Sequence, residues 1–188
     1  MISMNKHKIL SILAGIFYPT IVAIPLIVVL AWGSLFDILV GILFISIAPM
    51  AFIYIFSKRK HTDWDVSDQT KRKWPFIVAM FFQVLAVLFF VYSGSAVMLA
   101  LSTAYLFVTF ALYLVNFFTK ISVHCAGVSG ACMDIVYIYG WPFSILFLLV
   151  VVVAYDRIRL NAHTLKQTIY GTILSAVLSY LVFYTIMG

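Results

Sequence analysis

Charged residues are scarce in this chain. Asp, Glu, Lys and Arg make up only 10% of the 188 residues, whereas 65% are hydrophobic and the mean hydropathy is +1.14. A water-soluble domain needs roughly a quarter of charged residues to cover its surface. The composition therefore excludes soluble enzymes and nucleic-acid-binding domains, and it is typical of a protein that resides in a lipid bilayer.

Cysteines are equally few. Cys125 and Cys132 are seven residues apart, which on one helix separates their Cα atoms by about 10 Å, too far for a disulfide bond. We therefore predict two buried thiols without a redox role. The first apolar run has no small-residue cleavage pattern, so we expect it to be a membrane span and not a cleavable signal peptide.

Long apolar runs predict how many helices there are. The run from Ile9 to Phe56 has 48 residues, and one crossing takes about 20, so the run predicts a helical hairpin broken at Trp32-Gly33-Ser34. Its prolines are expected to kink the helices without ending them; they are Pro19, Pro25 and Pro49. The segments that follow are a polar loop over 57–74, two spans over 75–118 divided at 92–95, and three spans over 122–187.

The number of spans depends on the stretch 122–157, which forms either one long helix or two short helices that turn at Gly140-Trp141-Pro142. With two helices all 12 Lys and Arg residues fall on one face of the membrane, whereas with one helix they divide nine to three. Positive residues concentrate on the cytoplasmic side of membrane proteins. We therefore predict an all-α, polytopic membrane bundle of about seven transmembrane helices, or six if the first spans are miscounted. It forms a single domain over residues 1–188 in the cell membrane, with its charged loops in the cytoplasm.

Polar side chains cluster at the mouths of helices on the charged face, in the segments 65–75, 120–127 and 157–167. Arginine and lysine beside helix N-termini favour a bound phosphate group. Two histidines, His124 and His163, can divide the chemistry: a neutral imidazole attacks phosphorus, and a protonated one gives a proton to the leaving oxygen. Gln167 follows His163 by four residues, so its side-chain carbonyl is expected to fix the tautomer of that ring.

These segments resemble the three motifs of the type-2 phosphatidic acid phosphatase superfamily, which includes lipid phosphate phosphatases and vanadium haloperoxidases. The family motif S-R-x5-H-x3-D is similar to Arg157, five residues, His163 and then Gln167 in the aspartate position. The resemblance implies that His163 is the nucleophile that becomes phosphorylated and that Arg157 holds phosphate. Gln167 can orient His163, but it cannot stabilise its positive charge as a carboxylate would.

The other two motifs are looser. Ile121-Ser122-Val123-His124 is similar to P-S-G-H, keeps Ser122 and implies that His124 is the leaving-group acid. For K-x6-R-P, Arg72 stands for the arginine, Pro75 is displaced by two residues and Asp65 occupies the lysine position. Lys120 or Lys71 is a candidate for the missing charge. The implied substrate-binding residues are thus Arg157, Arg72, Lys120 and Ser122.

By this resemblance the chain is expected to be a membrane-embedded lipid phosphate or diphosphate phosphatase that works through a phosphohistidine, without metal or cofactor. Two alternatives remain open. The first is a phosphotransferase that passes the headgroup to an alcohol, and the second is a catalytically weak protein that binds a lipid phosphate. The sequence predicts neither the particular lipid nor the oligomeric state.

Two further features are interpreted from the sequence. Asp134 lies inside the fifth span, where we expect either a structural hydrogen bond with Gln83 or Asn116 or a place in a water-filled cavity. Small residues at four-residue spacing predict close helix packing; they are Gly127 and Ala131, and Gly171, Ser175 and Ser179.

Overall fold

A computed structural model describes residues 10, 12–60, 66 and 68–188. Within this part of the chain every regular element is helical and there is no strand. Two residues named above lie outside the described residues: Ile9, the predicted start of the first apolar run, and Asp65, which occupies the lysine position of K-x6-R-P. The prediction of an all-α protein is confirmed for the part that the structure describes.

Among the described residues, seven helices follow one another after a short helical stretch at 12–16. They are α1, Pro19–Leu30; α2, composed of Leu35–Gly41, a π-helical stretch Ile42–Ile47 and Ala48–Lys60; α3, a 3₁₀ turn Gln69–Arg72 continued by Lys73–Ser93; α4, Ala96–Val115; α5, Val123–Tyr139; α6, a 3₁₀ stretch Trp141–Phe147 continued by Leu148–Arg159; and α7, Leu165–Met187.

Five of these helices are long and apolar enough to cross a membrane, namely α2, α3, α4, α6 and α7. The other two are shorter, since α1 has 12 residues and α5 has 17. At 1.5 Å per residue they are about 18 and 26 Å long, against a hydrocarbon core of about 30 Å. The chain therefore has the helices of a multi-pass membrane protein, with five candidate spans among the described residues.

The helices are divided at three of the places that the sequence predicts. The first break covers 31–34, and the other two fall at glycines with positive φ, Gly94 at 75° and Gly140 at 95°. Glycine has no Cβ and adopts these angles without steric cost. Pro142 follows Gly140 and lies in the first turn of α6, where its missing N–H is not needed. The stretch 122–157 is therefore two helices and not one.

The prediction for the prolines is wrong for Pro19. The helical conformation is interrupted at residues 17–18. Pro19 then begins α1, and Tyr18 in front of it has an extended backbone. Proline fits the first position of a helix because its nitrogen has no hydrogen to donate. Pro25 does lie within α1. Pro49 is the second residue after the π-helical stretch of α2, and such stretches are among the places where a helix bends near a proline.

The polar loop is shorter than predicted. Helix α2 continues as far as Lys60, and helical structure resumes at Gln69. Asp68 caps this turn, because its carboxylate accepts a hydrogen bond from the Thr70 backbone N–H at 3.0 Å. The loop is also not fully exposed, since the side chains of Val66 and Arg72 are buried.

Small residues bring α5 and α7 together as parallel neighbours. A Cβ on Gly171 would lie 2.6 Å from the Ser122 carbonyl oxygen, and one on Gly130 would lie 2.6 Å from Ser175 Oγ. The Ser129 hydroxyl donates to the Thr172 carbonyl at 2.9 Å. The predicted small-residue row of α7 thus packs against α5. Gly127, in contrast, packs against Pro19 of α1.

The order of the helices places the described Lys and Arg residues at one end of the bundle. They lie at the end of α2, the start of α3, the α4–α5 and α6–α7 connections and the start of α7. At the opposite end are the exposed side chains of Trp32 and Trp141. The predicted site residues all belong to the charged end.

Candidate active site

The connection between α6 and α7 holds His163 close to Arg157. Asn161 has a φ of 52° and reverses the chain after α6; asparagine is among the residues that tolerate this conformation best. The Arg157 carbonyl then accepts hydrogen bonds from the backbone N–H groups of Ala162 at 3.0 Å and His163 at 3.3 Å. The turn therefore fixes the backbone of His163 against the last turn of α6.

The His163 ring is oriented by Gln167. Nδ1 of His163 lies 3.2 Å from Oε1 of Gln167, and the same Oε1 accepts the Thr164 backbone N–H at 3.1 Å. The Thr164 hydroxyl in turn accepts the Gln167 backbone N–H, which completes a capping box at the start of α7. Because the shared oxygen is an acceptor, it selects the tautomer with hydrogen on Nδ1 and leaves the lone pair on Nε2.

Backbone contacts join the three predicted motif segments. The Ser122 backbone N–H donates to the Gln167 carbonyl at 3.3 Å and so ties the start of α5 to the start of α7. Arg72 is buried and donates through Nη1 to the Ile121 carbonyl at 3.0 Å and through Nε to the Val66 carbonyl at 2.8 Å. Segments far apart in sequence are therefore held at fixed positions around one site.

His124 lies in the first turn of α5 and is 5% exposed. Its ring packs edge-on against Tyr18, with 5.2 Å between the ring centroids and 87° between their planes. The position of Tyr18 follows from the interruption before Pro19, whose ring lies against Gly127 one turn further along α5. The start of α1 thus forms one wall beside the predicted acid, a contribution that the sequence did not reveal.

Asp156 is a member of the cluster that sequence reasoning missed. Its Oδ2 accepts hydrogen bonds from Arg157 Nε at 3.1 Å and Nη2 at 2.8 Å, and both side chains are almost fully buried. Charge-assisted pairs of this kind fix the plane of a guanidinium group. The one sequence signal was an acidic residue next to Arg157 at the end of an apolar helix.

A single cavity of about 130 Å³ unites the predicted residues at the charged end of the bundle. It is lined there by His124, His163, Arg72, Arg157 and Lys120. Two other predicted residues do not line it. The Ser122 hydroxyl caps α5 by accepting the Cys125 backbone N–H at 3.3 Å, and Gln167 lies behind His163. The mouth of this cavity, defined by the five lining residues above, thus presents two imidazoles and three cationic side chains.

The environment of His163 keeps its ring neutral. Burial is the main cause, and the nearby positive charges of Arg72 and Lys120 add to it, so the pKa falls from 6.5 to about 3. The hydrogen bond to Gln167 acts in the opposite direction but is weaker. A neutral imidazole with a free lone pair is the form in which histidine acts as a nucleophile.

The prediction of a structural hydrogen bond between Asp134 and Gln83 or Asn116 is wrong for the described residues. Gln83 Nε2 donates to the Thr109 hydroxyl at 2.9 Å, and Asn116 Nδ2 donates to the Gln69 carbonyl at 3.1 Å near the charged end. Asp134 instead lines the cavity, at the end remote from the histidines. The predicted place in a cavity is therefore the alternative that agrees with the structure.

Comparison with known proteins identifies one family. The model of the PAP2 superfamily, the type-2 phosphatidic acid phosphatases, matches residues 99–187. This region includes Lys120, Ser122, His124, Arg157, His163 and Gln167, and it leaves out Arg72. The chain matches no curated protein and no solved structure.

Proposed function

We propose that this chain is a membrane-embedded phosphatase for a lipid phosphate or diphosphate. Through residues 99–187 it belongs to the PAP2 superfamily, whose members are generally phosphatases acting on phosphate esters. The observation that carries the proposal is the mouth of the cavity, where His124 and His163 lie with Arg72, Lys120 and Arg157. Three cationic side chains around one buried site can hold a phosphate group through charge-assisted hydrogen bonds.

The proposed reaction has two steps. In the first, Nε2 of His163 attacks phosphorus, the bond to the lipid oxygen breaks, and His124 in its protonated form gives its proton to that oxygen. In the second, the same imidazole of His124 takes a proton from water, whose oxygen attacks phosphorus while the bond between phosphorus and Nε2 of His163 breaks. Inorganic phosphate leaves, and both histidines return to their starting state.

The surrounding residues support these roles. Gln167 holds the tautomer that exposes Nε2, and Asp156 fixes the plane of the Arg157 guanidinium. Both Arg72 and Arg157 are buried, so a phosphate placed beside them interacts through a medium of low dielectric constant, where charge pairing is strong. The developing negative charge on the phosphoryl oxygens is stabilised by groups that need no reorganisation.

A lipid substrate is supported by the rest of the cavity wall. Beyond the mouth the lining includes apolar residues from several helices, among them Ile45 and Ile53 of α2, Phe76 of α3 and Val108 of α4. An acyl or prenyl chain placed there removes apolar surface from water, while the phosphate remains at the charged end. Candidate substrates are prenyl phosphates and diphosphates, phosphatidic acid and phosphatidylglycerol phosphate.

The proposed active site faces the cytoplasm, because all the described Lys and Arg residues share its end of the bundle. Single-cysteine variants test this placement after Cys125 and Cys132 have been replaced by alanine. Phe118→Cys lies at the charged end and Tyr92→Cys at the opposite end, and both side chains are about nine-tenths exposed. An impermeant thiol reagent added to intact cells should label Tyr92→Cys and spare Phe118→Cys; the reverse pattern contradicts the placement.

A second candidate function is favoured by Gln167, which is neutral where the family has an aspartate. Such a site can bind a lipid phosphate and turn it over slowly or not at all. Gln167→Asp separates the two: a large gain in turnover supports a weakened enzyme, whereas unchanged, absent turnover with bound lipid phosphate supports a binding protein.

The central test is phosphate release by purified protein in lipid nanodiscs, measured over the candidate substrates with His163→Ala and His124→Ala alongside. Lys166→Ala is a matched control, because Lys166 is exposed near His163 and does not line the cavity. Release that both histidine variants abolish and the control retains supports the phosphatase. Transfer of the phosphoryl group to an added acceptor alcohol, with little or no inorganic phosphate released, supports the phosphotransferase instead.

A further inference from the structure

The inner end of the cavity is polar although it lies deep in the bundle. Five residues line it, contributed by α3, α4, α5 and α7; they are Gln83, Tyr105, Asp134, Ser175 and Ser179, and we call them the inner polar chamber. Asp134 follows His124 by ten residues in α5, so the chamber lies about 15 Å from the mouth along the helix axis. One cavity therefore has two polar ends.

Several atoms of this chamber have no hydrogen-bond partner among the described residues. They are Gln83 Oε1, the Tyr105 hydroxyl, both carboxyl oxygens of Asp134 and Ser175 Oγ. The Ser179 hydroxyl lies beside Asp134 and interacts with its carboxyl group, but without the geometry of a good hydrogen bond. The exposed fraction of Gln83, Asp134 and Ser175 is 4% or less.

Helix packing does not account for this set. Ser175 and Ser179 do fill the space above Gly130, where small side chains allow α5 and α7 to approach. A buried polar group without a partner costs free energy, and an ionisable group within a membrane bundle is rare unless it serves a site. If Gln83, Tyr105 and Asp134 served only helix packing, apolar side chains of similar size would fill the same space.

The unsatisfied atoms indicate which chemical group would fit. Gln83 Oε1 and the carboxyl oxygens of Asp134 accept hydrogen bonds, whereas the hydroxyl groups of Tyr105 and Ser175 can donate as well as accept. A hydroxyl group both donates and accepts, so it matches this mixture. An ammonium group only donates, and it would have to pass the positive charges of Arg72, Lys120 and Arg157 at the mouth.

We propose that the inner polar chamber is a second binding subsite, and that it takes a hydroxyl group carried on a single narrow chain that enters the cavity from the mouth. The inference rests on the proposed function for the phosphate at the other end of that chain. It adds that the preferred ligand carries a polar group about 15 Å from its phosphate.

Hydrolysis-resistant probes test the subsite. Binding to purified protein in nanodiscs is measured by calorimetry for dodecylphosphonic acid and ω-hydroxydodecylphosphonic acid, whose chains of about twelve carbons match the span between the two ends. The terminal hydroxyl should tighten binding about tenfold, because it forms hydrogen bonds with the polar atoms of the chamber. Equal affinity of the two probes overturns the proposal.

Variants locate the effect. Tyr105→Phe removes one hydroxyl group of the chamber, and Tyr113→Phe makes the same change on the same helix outside the cavity. The preference for the hydroxylated probe should shrink several-fold in Tyr105→Phe and in Asp134→Leu, and remain in Tyr113→Phe. A preference that persists in both chamber variants contradicts the proposal. If Asp134→Leu does not fold, an unchanged preference in Tyr105→Phe alone contradicts it.

Failure of the proposed function gives a different result. Dodecanol and the dodecane α,ω-diol carry no phosphate, so their relative affinity reports the chamber alone. A diol that binds more tightly in a Tyr105-dependent manner, together with no hydrolysis of any lipid phosphate, supports the chamber and rejects the phosphatase. Hydrolysis without any preference for a hydroxyl group supports the phosphatase and rejects the chamber.

Discussion

Nδ1 of His163 lies 3.2 Å from Oε1 of Gln167, an oxygen that also accepts the Thr164 backbone N–H at the start of α7. One amide oxygen therefore caps a helix and sets the tautomer of the proposed nucleophile. The arrangement makes the orientation of His163 part of the structure of α7, so the ring is in place before substrate arrives.

Removing this oxygen should impair the chemical step. Gln167→Leu leaves Nδ1 of His163 without its acceptor, so the ring loses its fixed tautomer, and we expect kcat to fall at least about tenfold with little change in KM. Steady-state phosphate release measures both constants. Lys166→Leu, one residue earlier on the exposed face, is the control. A Gln167→Leu variant with the kcat of the wild type would show that the amide does not orient the ring.

The buried pair of Asp156 and Arg157 should make separable contributions to stability and activity. Asp156→Ala leaves the guanidinium of Arg157 without its carboxylate in a buried position, so we expect the free energy of unfolding to fall by about 3 kcal/mol. Replacing both residues by leucine removes both charges, which should restore much of the stability.

Thermal unfolding in detergent and phosphate release measure these two contributions. The double variant should be folded and inactive, because it lacks the guanidinium proposed to hold phosphate. A stable double variant that retains full activity would remove Arg157 from the proposed mechanism.

The contact between α5 and α7 should couple packing to catalysis. A Cβ added by Gly171→Ala would lie 2.6 Å from the Ser122 carbonyl oxygen, so the start of α5 must move away from α7 and carry His124 away from His163. We expect a loss of stability of about 1–3 kcal/mol and a larger loss of kcat than of substrate affinity.

Gly15→Ala is the matched control for this change, because no atom of the described residues lies within 4 Å of a Cβ added there. Unfolding and kinetic assays are run on both variants. Unchanged activity in Gly171→Ala would mean that the distance between the two histidines is not critical.

Stability should fall in acid because of His163. Its pKa is about 3 in the folded protein, against 6.5 for an ordinary histidine, so between these values the unfolded chain binds a proton that the folded protein does not. The stabilising contribution is complete above pH 6.5 and is lost as the pH falls towards 3. Relative to pH 8, we expect a loss of about 2 kcal/mol at pH 5.

His163→Gln removes this group, and its thermal unfolding as a function of pH is the reference for the wild type. The difference between the two proteins should grow with falling pH in the sense that the wild type loses more stability. Parallel pH profiles would show that His163 titrates normally in the folded protein.

Much of the architecture was accessible from the sequence because membrane helices obey simple length and charge rules. The breaks at 31–34, Gly94 and Gly140 follow from glycine and from the span lengths. The two-helix interpretation of 122–157 followed from placing every positive charge on one face. The prediction of a kink at Pro19 was wrong because a proline can either kink a helix or begin one. Which of the two occurs depends here on the tertiary contact of Pro19 with Gly127.

The site was only partly accessible. The four-residue spacing correctly predicted that Gln167 contacts His163, although His163 lies just before the Thr164 cap of α7 and the contact is made through the capping box. It did not reveal Asp156 as the partner of Arg157, because neighbours in sequence usually point to different sides of a helix. Of the inner polar chamber the sequence predicted only a place for Asp134 in a cavity, because the other members come from other helices and share no local pattern.

The most direct test of the account is to trap the phosphorylated enzyme. Purified protein in nanodiscs is mixed with a radiolabelled phosphate ester that has a good leaving group, quenched in alkali, and mapped by mass spectrometry. The proposed mechanism predicts an acid-labile, alkali-stable phosphoryl group on His163, absent from His163→Ala and accumulated in His124→Ala, because the latter lacks the base for the second step. Phosphate release without any phosphoryl group on His163, or with the label on another residue, would contradict it.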